Sequence, residues 1–247
     1  MESGLHITLA AERLFTVWGF PITNTLLTAW VVMAILLVLG FIVRKNLALI
    51  PGKLQNAVEM FFEYLLGLME QTLGERRLAV RYFPLIATIF LFILFANFFD
   101  FIPVFGTLGF TEGGEFVPLF HPVNADLNTT LALAIISFFV IEISGIVSLG
   151  LLKYGSKFVN FTSGVMGFIV GLIEIIGNLA RLISLSFRLF GAIFAGEVLL
   201  LVVGTFVPLL LPVPLMAFEA FIGLLQAAIF AILTLAFIKL AISEHAH

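Results

Sequence analysis

The sequence predicts an all-α polytopic membrane protein with about five membrane-crossing helices plus one interfacial amphipathic helix. Three observations carry that prediction. Hydrophobic residues fill 62% of the 247 positions and charged residues 11%, with a mean hydropathy of +1.20; a soluble domain is about half apolar and about a quarter charged. The apolar residues fall in long stretches that reach the roughly 20 residues needed to cross a hydrocarbon core of about 30 Å. Basic residues gather in the connections between them. Such a chain forms a single membrane domain over residues 1–247, with no length left for a separate soluble catalytic unit. The net charge of −3 and the lack of a basic run argue against a nucleic-acid partner. The absence of cysteine excludes disulfides, thiolate metal sites and thiol catalysis.

Residues 1–25, which include Glu2, Glu12 and Arg13, read as an outer-side N-terminal segment without the basic region and cleavage site of a signal peptide. Residues 26–43 form the first span, closed by Arg44 and Lys45. In residues 51–75, Lys53, Gln55, Glu59, Glu63, Glu70 and Gln71 alternate with Leu54, Val58, Phe61, Phe62, Leu65, Leu66 and Met69. That helical period predicts an amphipathic helix lying in the interface. Residues 83–103 cross next, ending at Asp100 and Pro103, and residues 127–152 return with Glu142 inside them, completing a helical hairpin. Gly106 to Asp126 between them reads as a loop rich in glycine, proline and acid. Residues 161–206 are too many for one upright crossing, so they are either strongly tilted or broken at Gly177 or Gly191. Pro208, Pro212 and Pro214 mark a turn, and residues 215–242 form the last long, tilted helix.

The basic residues orient the chain. With the N-terminus outside, five crossings put Arg44, Lys45, Lys53, Arg76, Arg77, Arg81, Lys153, Lys157 and Lys239 on the cytoplasmic side, with the C-terminus. Arg13 alone falls outside, together with Glu112, Glu115 and Asp126.

Arg188 lies within the apolar stretch from Leu182 to Pro208. An arginine near the bilayer centre costs at least about 3 kcal/mol and cannot shed its charge. It therefore needs a water-filled path or a carboxylate partner, which points to ion handling. The last two long helices hold most of the other embedded polar groups. Glu174, Arg181 and Arg188 are spaced by seven and share a stripe, with Asn178 and Ser184 beside it. Arg188 and Glu197 are nine residues apart, about two and a half turns and about 13 Å along the axis, so they point to opposite faces. Glu219 and Gln226 share a stripe on the returning helix. One face thus presents Arg188 outward and the other presents Glu197 toward Glu219. Two carboxylates facing each other in a poor dielectric repel when both are ionised, the setting of a proton relay. Arg181, nearer the cytoplasmic end, can also snorkel. Asp100 and Asp126, at span ends, read as caps or loop-ordering groups. His6, His121, His245 and His247 form no spaced ligand set, so neither a metal nor a cofactor is expected.

The run Ser184-Leu185-Ser186-Phe187-Arg188-Leu189-Phe190-Gly191, continuing to Ala195-Gly196-Glu197, resembles the signature of subunit a in the membrane sector of F-type ATP synthases. Leu225-Gln226-Ala227 with Phe230, the motif from Ala125 to Leu133, and Asn97-Phe98-Phe99-Asp100-Phe101-Ile102-Pro103 are similar to further motifs of that family. The resemblance implies a stator subunit packed against a c-subunit ring, in a bacterial inner membrane. Its other partners would be b-type peripheral stalk subunits, the soluble ATPase head and the lipid bilayer. It implies that Arg188 meets the ring carboxylates, that Glu197 and Glu219 serve one of two offset proton half-channels, and that Gln226 sits near the arginine. Ala192 departs from the asparagine found in many members, and the Glu197–Glu219 combination from a Glu/His pairing found in some. The competing expectation is a secondary transporter or stand-alone ion channel, for which an internal repeat would be the sign; none is visible.

Overall fold

Two helices longer than a bilayer is thick organise the protein. The computed structural model describes residues 12–17, 19–45, 47–48, 51–102, 108–112, 115–158, 164–207 and 211–243. Residues 1–11, Pro103, the start of the expected 161–206 helix, Pro208 and the C-terminal histidines lie outside the described residues. Helices run α1 Asn24–Lys45, α2 Lys53–Leu73, α3 Arg76–Phe99, α4 Leu127–Leu149, α5 Leu151–Phe158, α6 Gly164–Phe206 and α7 Pro212–Ser243. All but α2 and α5 are long and apolar enough to cross a membrane, which makes five spans. The all-α polytopic prediction therefore holds. It gains two short antiparallel hairpins, β1 Arg13–Val17 with β2 Phe20–Thr23 and β3 Gly109–Glu112 with β4 Glu115–Pro118. The Gly113-Gly114 pair between β3 and β4 was the available sequence signal for the second of these.

Several boundaries move for local reasons. α3 begins at Arg76 rather than Phe83, since arginines in the first turns can extend their charged ends to the interface. Pro84 lies inside this helix, and Thr88 Oγ1 donates to its carbonyl at 2.6 Å. α4 stops at Leu149 because Gly150 takes a left-handed φ of 84°, open to glycine without steric penalty. Pro212 and Pro214 belong to α7 rather than to a turn before it; in a first helical turn the missing N–H has no partner to lose. α6 is one helix across both Gly177 and Gly191. Its 43 residues extend about 64 Å, twice the hydrocarbon thickness, so inclination rather than a break accommodates its length.

α3 packs along α7, and α4 lies against both α6 and α7. Ile86, Ile93, Leu189, Leu235 and Ile238 are fully buried where these helices meet. α2 lays Met69 and its phenylalanines on this bundle, with Phe61 5.5 Å from Phe90 and Phe62 5.5 Å from Phe83. Within a membrane, helices are held by close approach and by polar contacts, because lipid is as apolar as leucine. Both occur here. A methyl group at Gly223 would come within 2.9 Å of Asn97 Cβ, and Asn97 Nδ2 donates to the Gly223 carbonyl at 2.9 Å. Asn124 Nδ2 donates to Asn97 Oδ1 at 2.7 Å, and the Thr130 and Ser186 hydroxyls pair at 3.2 Å. Asp126 caps α4 by accepting from Asn128 N–H and from Thr25 Oγ1, each at 2.9 Å, which fits its reading as a cap.

Gly145 illustrates how little room the bundle leaves. A methyl there would fall inside the Tyr154 ring, whose hydroxyl is tied to Glu142 at 2.8 Å. The ring has no free end to swing away. Gly145→Ala is expected to destabilise the fold by about 1–3 kcal/mol. A lower melting temperature in detergent would show it, and an unchanged one would count against this packing.

Candidate functional site

The two faces of α6 differ as their spacing predicts. Leu185, Ser186, Leu189 and Ile193 are buried against the bundle, and Glu197 continues that face. Arg188, Ser184 and Phe187 are exposed. Among the described residues, the one hydrogen bond of Arg188 is to Ser184 Oγ, at 3.4 Å, and no carboxylate pairs with it. A guanidinium is thus held on an apolar outer face without a counter-charge.

On the opposite side, two cavities of about 380 Å³ each meet at Glu219. The first is lined by Asp100, Pro122, Ile193, Glu197, Met216 and Glu219. The second runs from Glu219 to Gln226 along Ala192, Ala195 and Gly196. Gly196 makes the shared point possible: a methyl there would lie 2.6 Å from Glu219 Oε1. Glu197 and Glu219 thus line one recess, and Glu219 and Gln226 line the adjoining one. That recess ends one helical turn beyond Arg188, at Ala192, a rise of about 6 Å. Two further residues that the sequence did not assign stand by Glu197. Asp100, read as a cap, lines the cavity. His121 places Nε2 3.8 Å from Glu197 Oε1.

The remaining polar residues separate. Arg181 lies within about 20° of Arg188 on the helical wheel, yet its guanidinium turns inward. It sits 5.4 Å over the Phe237 ring and donates to Asn178 Oδ1 at 2.9 Å. Asn178 is buried and passes the contact on, its Nδ2 donating to Glu142 Oε1 at 3.0 Å, while Tyr154 Oη donates to Glu142 Oε2. The single stripe expected for Glu174, Arg181 and Arg188 is corrected accordingly. Arg181 and Asn178 join an inner cluster with Glu142, Glu174 is half-buried nearby, and Arg188 with Ser184 faces outward. Backbone phase put these side chains on one stripe; Arg181 turns in among residues of α4 and α7, including Ile141, Glu142 and Phe237.

Acidic residues lining a cavity between α3, α6 and α7, in a chain with five helices long and apolar enough to cross a membrane, fit a multi-pass membrane protein of the kind that handles ions inside the bilayer. Comparison with known proteins narrows the class. The profile of the family described as ATP synthase A chain matches residues 26–239. The chain is 33% identical to ATP synthase subunit a of Moorella thermoacetica, over 94% of this chain and 97% of that one. It is 38% identical to ATP synthase subunit a 1 of Syntrophotalea carbinolica, over 92% and 88%. It is 34% identical to the sodium ion specific ATP synthase subunit a of Propionigenium modestum, over 95% and 79%. The chain belongs to the ATP synthase subunit a family, whose members are ion-translocating membrane subunits of ATP synthase.

Proposed function

We propose that this chain is the stator of a rotary ATP synthase that conducts protons through two offset half-channels and couples their flow to rotation of a c-subunit ring. The observation that carries this reading is Arg188, exposed on an apolar helix face without a carboxylate partner among the described residues. Such a charge is stable in a membrane against a water-filled path or a partner that supplies the counter-charge. A ring of c subunits, each with one carboxylate, does so.

In this mechanism the outer half-channel is the pair of adjoining recesses from Asp100 and Glu197 through Glu219 to Gln226. Three acids around one low-dielectric cavity repel when ionised, so a resident proton relieves the repulsion and can be handed inward. A ring carboxylate receives it, becomes neutral and can enter lipid. After a revolution it returns to the cytoplasmic side, where Arg188 favours the ionised form and blocks direct passage between the half-channels. Ser184 on the outer face of α6, with the inner cluster of Arg181 and Asn178 and with Glu174 nearby, flanks the cytoplasmic half. One elementary charge crossing 100 mV releases about 2.3 kcal/mol. That is below the penalty of a bare carboxylate in lipid, so rotation requires either protonation or the arginine. The N-terminus lies outside, the C-terminus lies in the cytoplasm, and the membrane is a bacterial inner membrane. The b-type stalk subunits hold the chain against the soluble ATPase head.

Purification in mild detergent tests the assembly. A ring of c subunits and the soluble ATPase subunits should accompany the chain, and the reconstituted complex should pump protons on ATP addition in sodium-free buffer. A solitary chain that transports a solute would overturn the reading, and strict dependence of pumping on sodium would overturn the choice of ion.

A further inference from the structure

Glu197, which lines the cavity, has an imidazole beside it. His121 lies between β4 and the 3-10 turn Val123–Ala125, next to Pro122, which lines the cavity with Asp100, Glu197 and Glu219. Its side chain is 13% exposed, and Nε2 is 3.8 Å from Glu197 Oε1. Nδ1 is buried and has no hydrogen-bond partner among the described residues. The loop beneath the ring is fixed from two sides. His121 N–H donates to Thr28 Oγ1 at 3.2 Å, and the neighbouring Phe120 ring meets Phe99 edge-on at 6.0 Å.

An imidazole held this way calls for an explanation, because a buried polar atom without a partner gives up its hydration for nothing. A separation of 3.8 Å is too long for a direct hydrogen bond. A small side-chain rotation, or one bridging water, closes it. Imidazole also has the property that a relay needs: one ring nitrogen accepts while the other donates, and its ordinary titration falls between pH 5 and 8. The titratable groups around it are Glu197 from α6 and, on the same cavity wall, Asp100 from the end of α3 and Glu219 from α7; α1 contributes the uncharged Thr28.

We propose that His121 is a proton-relay residue of the outer half-channel, which takes up a proton from the outer side to become imidazolium, protonated on both ring nitrogens, and delivers the Nε2 proton to Glu197 Oε1. The N–H bond at Nε2 breaks as the O–H bond on Glu197 forms. Imidazolium and carboxylate become neutral imidazole and carboxylic acid, with the remaining ring proton on Nδ1. The next proton from the outer side resets the ring. The inference rests on the reading of Glu197 as part of the outer half-channel, and it adds a step before the carboxylates.

Passive proton flux through vesicles stripped of the soluble head, with outer-side pH varied from 5 to 8, tests it. The native complex should show a pH-dependent step in that interval. His121→Gln should slow the flux by about 10-fold or more and abolish the step. Thr28→Val, which loosens the loop but keeps the imidazole, should retain it. An unchanged pH profile in His121→Gln would overturn the relay. If that variant does not assemble, His121→Asp decides: a step displaced to lower pH supports the relay, and a step left in place overturns it. Glu197→Gln measured in parallel separates the two layers. Unimpaired flux there would overturn the half-channel reading itself, whereas blocked flux beside a native profile in His121→Gln would remove the relay alone.

Discussion

Arg188→Ala is expected to abolish ATP-driven proton pumping in inverted vesicles while leaving the complex assembled. The side chain is exposed and makes one long hydrogen bond, to Ser184, so its removal takes little packing from the fold. Its loss is felt by the ring. A ring carboxylate passing this position ionised would face a penalty of at least about 3 kcal/mol without a cation, a factor of about 100 or more in rate. The barrier between the two half-channels goes with it, so passive leakage should rise. Immunoblots establish assembly and quenching of a pH-sensitive dye reports pumping; normal pumping would make the arginine structural and end the rotary reading. Arg181→Ala supplies the contrast. Its guanidinium rests over Phe237 and bonds Asn178 rather than facing outward. Removing those contacts is worth about 1 kcal/mol, or a change of about 5-fold. Equal and complete loss in both variants would refute the division between the two arginines.

Glu219→Gln should slow proton delivery by about 100-fold, the lower range of what a positioned acid or base contributes. Glu219 is the one ionisable residue lining both large cavities, so the proposed path from Glu197 toward Gln226 runs past it. Glutamine has nearly the same shape and fits the space left by Gly196, so the change removes the exchangeable proton rather than the packing. Passive flux through head-stripped vesicles is the measurement, with assembly checked as before. Flux at the native level would mean that protons bypass the junction, and the path drawn through Glu219 would fall. A loss of the whole complex would point to a structural carboxyl instead, a result that Glu219→Asp, which retains the titratable group, would separate from a transport defect.

How much of this was legible in the sequence follows from which distances a sequence encodes. Along one helix, residue spacing sets phase. The count of nine from Arg188 to Glu197 therefore placed the arginine and the acid on opposite faces of α6, and hydropathy alone separated five spans, because each must satisfy its backbone internally and expose apolar side chains to lipid. The charge asymmetry of the loops gave the proposed orientation by the same logic of local composition. Contacts between elements have no such ruler. Asp100 and His121 lie far from Glu197 in the chain and come near it only because α3, the loop after β4 and α6 converge on α7. Glu142 found Asn178 and Tyr154 in the same way, through the packing of α4 and α5 on α6. Arg181 and Arg188 share a phase, and only the groove beside Phe237 turned one of them inward. Spans, faces and the unusual arginine were determined by the sequence itself, since helical periodicity and the cost of buried charge act locally. The adjoining recesses at Glu219, the extra acid lining one of them, the imidazole beside Glu197 and the separation of the two arginines were decided by tertiary packing, since they depend on which helices meet and how closely their small residues let them approach.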